Sequence, residues 1–140
     1  EILRESGRPK KDAEGNIVKE NGKPVRIPGR LKDFKGMGVS LDKYNITQVS
    51  INLTNYEVTP LHVAFEEVKK EAKRLGVEVD GSEIVGLVPL EALLQSGRFY
   101  SGDKSLSDDE LVDLAIEKLG LSTLNPFDKN QKIIDYMIGR

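Results

Sequence analysis

The sequence predicts an α+β fold, with one mostly antiparallel sheet, helices packed on one face of it, and a polar opposite face that meets a ligand or a partner. Three observations predict it: the dipeptide Asn21-Gly22 between two β-prone runs, an alternating strand over residues 47–55, and an amphipathic helix that begins at Thr59-Pro60. The chain has 140 residues, of which 38% are hydrophobic, so it has enough apolar material for a compact core.

The composition excludes several function classes. Lys and Arg total 21 against 23 Asp and Glu, a balance that argues against a nucleic-acid-binding module. The chain has no cysteine, which excludes disulfides, thiolate metal sites and a cysteine nucleophile. No apolar run approaches the roughly 20 residues of a spanning helix, and we expect a cytoplasmic protein without membrane contact. Residues 1–35 carry ten basic and six acidic side chains, a surplus typical of an anion-binding surface or of an ordinary solvated face.

The first 27 residues are predicted to precede the main fold. The opening EILRESGR is typical of the last turns of a helix that ends at Gly7. Helices shorter than about a dozen residues are marginal, so we expect residues 1–13 to be the end of a linking helix from a longer chain, followed by a linker. A processed N-terminus is the alternative. Residues 14–27 are predicted to form an exposed β-hairpin, because Asn and Gly tolerate the positive φ angles of a tight turn.

A second hairpin is predicted from residues 33–41 and 47–55. In its second strand apolar residues alternate with polar ones, so one face of the strand is apolar and the other polar. The polar set is Gln48, Ser50, Asn52 and Thr54. A solvent-facing side of an antiparallel sheet and a binding surface both fit this pattern.

Helices follow the second hairpin. Thr59 as N-cap and Pro60 as first helical residue predict a helix that ends at Gly76 and lies on the apolar strand face. Residues 77–79 and 84–88 are short strand candidates, and Pro89 begins another helix that ends near Gly97. The tail is predicted to be helical, with a capping box over residues 107–110 and a last helix capped by Asp128.

Generic catalytic and metal motifs are absent from the sequence. His62 is the single histidine and no cysteine accompanies it, so no metal site is predicted. We interpret His62 as a partly buried or surface residue without a chemical task. The pair Ser82-Glu83, after Asp80-Gly81, is able to present a hydroxyl, a carboxylate and backbone N–H groups at a loop, or to form an ordinary turn.

Two blocks of the sequence resemble a known family. Residues 45–56 read NITQVSINLTNY and residues 81–93 read GSEIVGLVPLEAL. Both resemble the C-terminal subdomain of the formiminotransferase (glutamate formimidoyltransferase) family, a part that also occurs in formiminotransferase-cyclodeaminase. We therefore interpret residues 28–140 as this subdomain with a helical tail.

The resemblance implies a folate-dependent transferase of histidine degradation. The family moves a formimino group from N-formimino-L-glutamate to tetrahydrofolate, its co-substrate, between two subdomains whose sheets face each other. By this resemblance Gln48, Ser50 and Asn52 face the cleft, and Ser82 and Glu83 lie at its rim, all as substrate-binding residues. The implied partners are the N-terminal subdomain and the two substrates, and we expect a homodimer.

The catalytic residue of the family is not among the matched residues. The family's base is a histidine of the N-terminal subdomain, and His62 does not match it, so no catalytic residue is assigned in this chain. We expect the chain to form half of an active site and to be inactive alone. Two alternatives are a non-catalytic binding or dimerisation module that retains the fold, and another small-molecule enzyme on the same fold.

Overall fold

The computed structural model describes residues 1–102 and 104–139. The chain divides into two compact units, Glu1–Thr59 and Pro60–Arg140. Strands form the first unit and helices form the second. Within the described residues, no helix combines the length and apolar character that crossing a membrane requires.

The N-terminal segment is not helical but pairs through backbone hydrogen bonds with residues 29–34, so the predicted helix end is wrong. The N–H groups of Arg30 and Leu31 donate to the carbonyls of Ile2 and Leu3, each at 3.0 Å. Gly7 has a φ of +60°, and a Cβ there would lie 2.8 Å from the carbonyl carbon of Ile27. Gly7 therefore permits a close approach of two chain segments rather than ending a helix.

The first hairpin forms around the predicted turn. Strands β2 (Lys19–Glu20) and β3 (Lys23–Pro24) pair antiparallel, and Asn21 and Gly22 between them have φ angles of 49° and 77°. A second pair joins β1 (Arg8–Pro9) to β4 (Arg26–Ile27), so residues interpreted as linker belong to a sheet. The hairpin strands are exposed, as predicted.

The second hairpin consists of β5 (Phe34–Leu41) and β6 (Ile46–Leu53). The two strands are antiparallel over their whole length, from Phe34 opposite Leu53 to Leu41 opposite Ile46. A 3₁₀ turn at Asp42–Tyr44 connects them, followed by Asn45 in the left-handed conformation. Phe34, only 2% exposed, anchors the hairpin in the core of the first unit.

The prediction of one continuous sheet is wrong. Across residues 1–102 and 104–139 the strands form separate two-stranded sheets. Residues 77–79 and 84–88, which were expected to extend a sheet, form no strand, and only Val88 makes an isolated parallel bridge to Ile133. Gly86 takes a φ of +81°, which interrupts an extended chain, and Val85 is 87% exposed.

The helical unit begins with α1 (Leu61–Arg74). Pro60, not Thr59, is its N-cap residue, and the hydroxyl of Thr59 donates to the carbonyl of Lys32 at 2.5 Å. Helix α2 (Leu90–Ser101) continues past the predicted end at Gly97. A Cβ at Gly97 would lie 2.7 Å from the carbonyl carbon of Leu111, so this glycine permits close helix packing.

The remaining helices form the C-terminal part of this unit. The predicted capping box begins α3 (Asp108–Lys118): the N–H of Glu110 donates to Ser107 Oγ at 3.3 Å, and that of Ser107 to Glu110 Oε2 at 2.8 Å. The single predicted last helix is two short ones, α4 (Lys129–Lys132) and α5 (Ile134–Met137). Ile133 separates them because it takes extended geometry to bridge Val88.

Candidate functional site

The three predicted residues of β6 lie together on one face of the second hairpin. Alternate residues of a strand share a face, so Gln48, Ser50 and Asn52 form a row along β6. Ser50 and Asn52 are exposed and Gln48 is half-buried. Two primary amides and a hydroxyl in one accessible row supply both donors and acceptors to a ligand.

Strand β5 adds residues to this face that analysis of β6 alone missed. The residues directly opposite Gln48, Ser50 and Asn52 are Val39, Met37 and Lys35, and directly opposed residues share a face. Met37 is 64% exposed. The face is therefore mixed rather than wholly polar, which corrects the prediction. We name these six residues of β5 and β6 the mixed face. The turn at Asp42–Tyr44 sets the register of the two strands, and this turn is the signal that would have identified the three residues of β5.

The mixed composition suits a particular kind of ligand. Met37 and Val39 offer apolar contacts to a flat ring, and methionine adapts its shape to an aromatic surface. The amides of Gln48 and Asn52 are able to hydrogen-bond the polar edge of such a ring. This combination of apolar surface with a few polar groups is typical of small-molecule sites.

A pocket of about 380 Å³ lies in the same unit, between the turn at residues 4–6 and the start of β5. Its lining residues are Arg4, Glu5, Ser6, Phe34, Lys35 and Gly36. A Cβ at Gly36 would lie 2.8 Å from Cε1 of the Phe34 ring, so this glycine leaves room for the ring along the strand. The pocket could not be predicted from the sequence, because residues 4–6 resemble the end of a helix there.

Ser82 and Glu83 lie in a loop of the helical unit. The N–H of Ser82 donates to the carbonyl of Gly120 at 3.1 Å, and its hydroxyl donates to the carbonyl of Leu119. The Ser82 side chain therefore holds the loop against the C-terminal end of α3. Glu83 is exposed, so its carboxylate is the accessible charged group of the predicted pair.

The close approach of this loop to the end of α3 depends on Gly81. A Cβ at Gly81 would lie 2.7 Å from both the carbonyl oxygen of Gly120 and Cβ of Thr123.

The five predicted residues form two local groups: Gln48, Ser50 and Asn52 in the first unit, and Ser82 with Glu83 in the second.

His62 is a packing residue between α1 and α2. Its ring, 9% exposed, stacks on Phe99 with centroids 4.4 Å apart, and its Nδ1 lies 3.2 Å from Ser96 Oγ. The hydroxyl of Tyr100 donates to Glu66 Oε1 at 2.9 Å. Burial lowers the pKa of His62, and the Glu66 carboxylate partly opposes this shift.

This arrangement predicts acid-sensitive stability of the helical unit. Folding depresses the pKa of His62, so the unfolded chain binds the proton more readily than the folded chain does. The stabilisation is therefore fully present above the unfolded pKa of about 6.5, and it is lost as the pH falls through the pKa of His62 in the folded chain. Urea unfolding followed by circular dichroism at about pH 8 and about pH 5 measures the loss. In His62→Phe, which keeps an aromatic ring, we expect a smaller loss; an unchanged one would exclude His62 as its source.

In the part of the chain that the structure describes, no cluster of three or more His, Cys, Asp or Glu side chains is placed to hold a metal ion. The mixed face and the pocket lining provide hydrogen-bonding groups, apolar side chains and charged side chains for contact with a ligand.

Comparison with known proteins gives one consistent result. A family model described as the formiminotransferase domain matches residues 2–139. The chain is 51% identical over 124 residues to a formimidoyltransferase-cyclodeaminase of Dictyostelium discoideum and 43% identical over 124 residues to that of Mus musculus, with 86% of this chain and 23% of each relative covered. It is 38% identical over 104 residues to a glutamate formimidoyltransferase of Thermoplasma acidophilum, with 71% of this chain and 34% of the relative covered. The chain thus spans about a quarter to a third of these relatives.

Proposed function

The chain belongs to the formiminotransferase domain family, and from this premise we propose that it forms one wall of a folate-dependent transferase site. The intact enzyme moves a formimino group from N-formimino-L-glutamate to tetrahydrofolate and releases glutamate. The observation that carries the proposal is the family match, which extends over residues 2–139. The names of the relatives, glutamate formimidoyltransferase and formimidoyltransferase-cyclodeaminase, support the same reaction.

In this proposal the chain corresponds to the C-terminal subdomain, with an N-terminal formiminotransferase subdomain as its partner and a homodimer as the assembly. The chain spans only 23% of the Dictyostelium relative. The base that deprotonates the attacking nitrogen of the folate belongs to the partner subdomain. The residues of this chain bind and orient the two substrates.

The mixed face is proposed to bind the pterin ring of tetrahydrofolate. Met37 and Val39 contact the ring surface, and Gln48 and Asn52 hydrogen-bond its polar edge. Glu83, an exposed carboxylate of the second unit, is proposed to accept hydrogen bonds from the formimino group, an amidine that is positively charged near neutral pH. A carboxylate near that charge holds the donor in the orientation that attack requires.

One wall of a cleft contributes to binding each substrate, but both walls are needed to align the two substrates with each other. Holding two reactants in line is worth about 7–11 kcal/mol in favourable cases, and the full gain requires both walls. We therefore propose that the 140-residue chain alone is inactive.

A chimera tests this proposal. The matched segment of the Dictyostelium relative, 51% identical over 124 residues, is replaced by this chain. We expect the chimera to convert formiminoglutamate and tetrahydrofolate to glutamate and 5-formiminotetrahydrofolate, while the isolated chain and a relative lacking the segment do not. Product formation followed by mass spectrometry measures both.

Two outcomes would contradict the proposal. Transfer by the isolated chain would overturn the half-site part. A chimera that folds with the circular dichroism of its parent, yet neither transfers the group nor binds tetrahydrofolate, would overturn the function itself. That second outcome would favour a binding or dimerisation module that retains the fold.

A further inference from the structure

We propose that the pocket between residues 4–6 and the start of β5 binds a glutamyl dicarboxylate. The pocket contains none of the five residues predicted from the sequence. The source of its ligand rests on the proposed function, because both the formiminoglutamate donor and the tail of folate carry a glutamyl group. The argument for a dicarboxylate itself uses only the residues that line the pocket.

Backbone hydrogen bonds pre-form the pocket. The N–H of Gly7 donates to the carbonyl of Arg4 at 2.8 Å and closes a turn, and the N–H of Glu5 donates to the carbonyl of Phe34 at 3.0 Å and fixes the turn against β5. The volume of about 380 Å³ lies within the usual range for small-molecule sites. A compact five-carbon dicarboxylate fits this space.

The charges of the lining residues favour two carboxylates. Arg4 and Lys35 are the two cationic members of the lining. The carboxylate of Glu5 is turned to the backbone, where its Oε2 accepts the N–H of Asp33 at 2.9 Å. Arg4 Nη2 lies 3.5 Å from the exposed carboxylate of Glu1, and such exposed pairs are weak, so a ligand carboxylate is able to replace Glu1. The hydroxyl of Ser6 adds a neutral donor.

The pocket continues into the mixed face through Lys35. Lys35 belongs to the pocket lining and lies directly opposite Asn52 in the strand register. A glutamyl group held by Arg4 and Lys35 therefore places whatever is attached to it beside Asn52. The two sites together accommodate a molecule with a dicarboxylate at one end and a polar group at the other.

Titration of the 140-residue chain with L-glutamate tests the pocket directly. Heteronuclear NMR at constant ionic strength should show saturable amide shifts centred on residues 4–6 and 34–36. Arg4→Gln and Lys35→Gln should each weaken binding at least about 5-fold, as loss of one charge-assisted hydrogen bond predicts. Arg4→Lys, which keeps the charge, should retain more affinity than Arg4→Gln, and Lys19→Gln, in the exposed strand β2, is the matched control.

Three results would overturn the proposal. One is the absence of shifts at these residues in the folded chain. Another is equal weakening by Lys19→Gln. The third is an equal response to acetate, which would identify an adventitious ion only. None of these readouts depends on catalysis, so an inactive chimera would leave the titration decisive.

The source of the ligand is read from the chimera. If the pocket holds the donor, Arg4→Gln should raise the KM for formiminoglutamate at least about 5-fold and leave the KM for tetrahydrofolate unchanged. The reverse pattern would assign the pocket to the folate tail. An active chimera in which neither KM changes would overturn the assignment of the pocket to the reaction.

Discussion

Replacing Gly97 by valine is expected to lower the free energy of unfolding of the helical unit by about 3 kcal/mol or more. A Cβ at Gly97 would lie 2.7 Å from the carbonyl carbon of Leu111 and 2.9 Å from its Cβ. The obstructing atoms belong to the backbone and Cβ of α3, so no side-chain rotation relieves the clash. The two helices must separate, and they carry much of the core, including Leu93 and Val112.

Gly97→Ala makes the test sharper because two effects oppose each other. In an exposed helix interior, Gly→Ala stabilises by about 1 kcal/mol. At Gly97 we expect destabilisation, since even a methyl group meets α3. Urea unfolding followed by helical circular dichroism measures both variants. Arg98→Ala, at the exposed next residue, is the control and should change stability by less than about 0.5 kcal/mol; stabilisation by Gly97→Ala would show that α2 and α3 are less closely packed.

Local signals in the sequence predicted the elements that short-range physics determines. Asn21-Gly22 forms its turn because both residues accept positive φ angles. The Ser107–Glu110 capping box forms because both partners lie within one helical turn. Alternation predicted that Gln48, Ser50 and Asn52 share a face, because the side-chain period of a strand is fixed by its geometry.

Features that depend on residues distant in sequence were not predicted. Gly97 was interpreted as a helix end because glycine commonly ends helices, yet its role is set by Leu111 in another helix. Residues 84–88 have strand composition, but strands require a pairing partner, and within the described residues only Val88 has one. The segment before Gly7 was interpreted as helix from its local sequence alone. Its hydrogen-bond partners lie at residues 27–34, and a local pattern gives no information about them.

The candidate site shows the same division. The row on β6 follows from one strand, whereas Met37 and Val39 enter the mixed face through cross-strand register. The sequence left open whether Ser82 presents its hydroxyl at a loop or belongs to an ordinary turn; in the structure the hydroxyl donates to the carbonyl of Leu119, 37 residues further along the chain. The sequence alone predicts candidate residues, and the tertiary contacts decide which of their groups are accessible.

Replacing Gly81 by valine is expected to reduce transfer by the active chimera about 100-fold, while the helical unit stays folded. A Cβ there would lie 2.7 Å from the carbonyl oxygen of Gly120 and from Cβ of Thr123. The loop must therefore move away from the end of α3, and it carries Ser82 and Glu83 with it. Displacement of a substrate-orienting group by about 1 Å is able to cost 10²-fold in rate.

The position of Gly81 in a loop separates this effect from unfolding. The loop residues adjacent to it are held by the Ser82 hydrogen bonds to Leu119 and Gly120, outside the α2–α3 contact, so urea unfolding should change by less than it does for Gly97→Val. Val85→Ala, at an exposed position of the same loop, should keep activity within about 2-fold. Equal activity of Gly81→Val and Val85→Ala would exclude the loop from the site. Gly81→Val displaces Glu83 and Val85→Ala does not, so equal rates would mean that the position of Glu83 does not affect transfer.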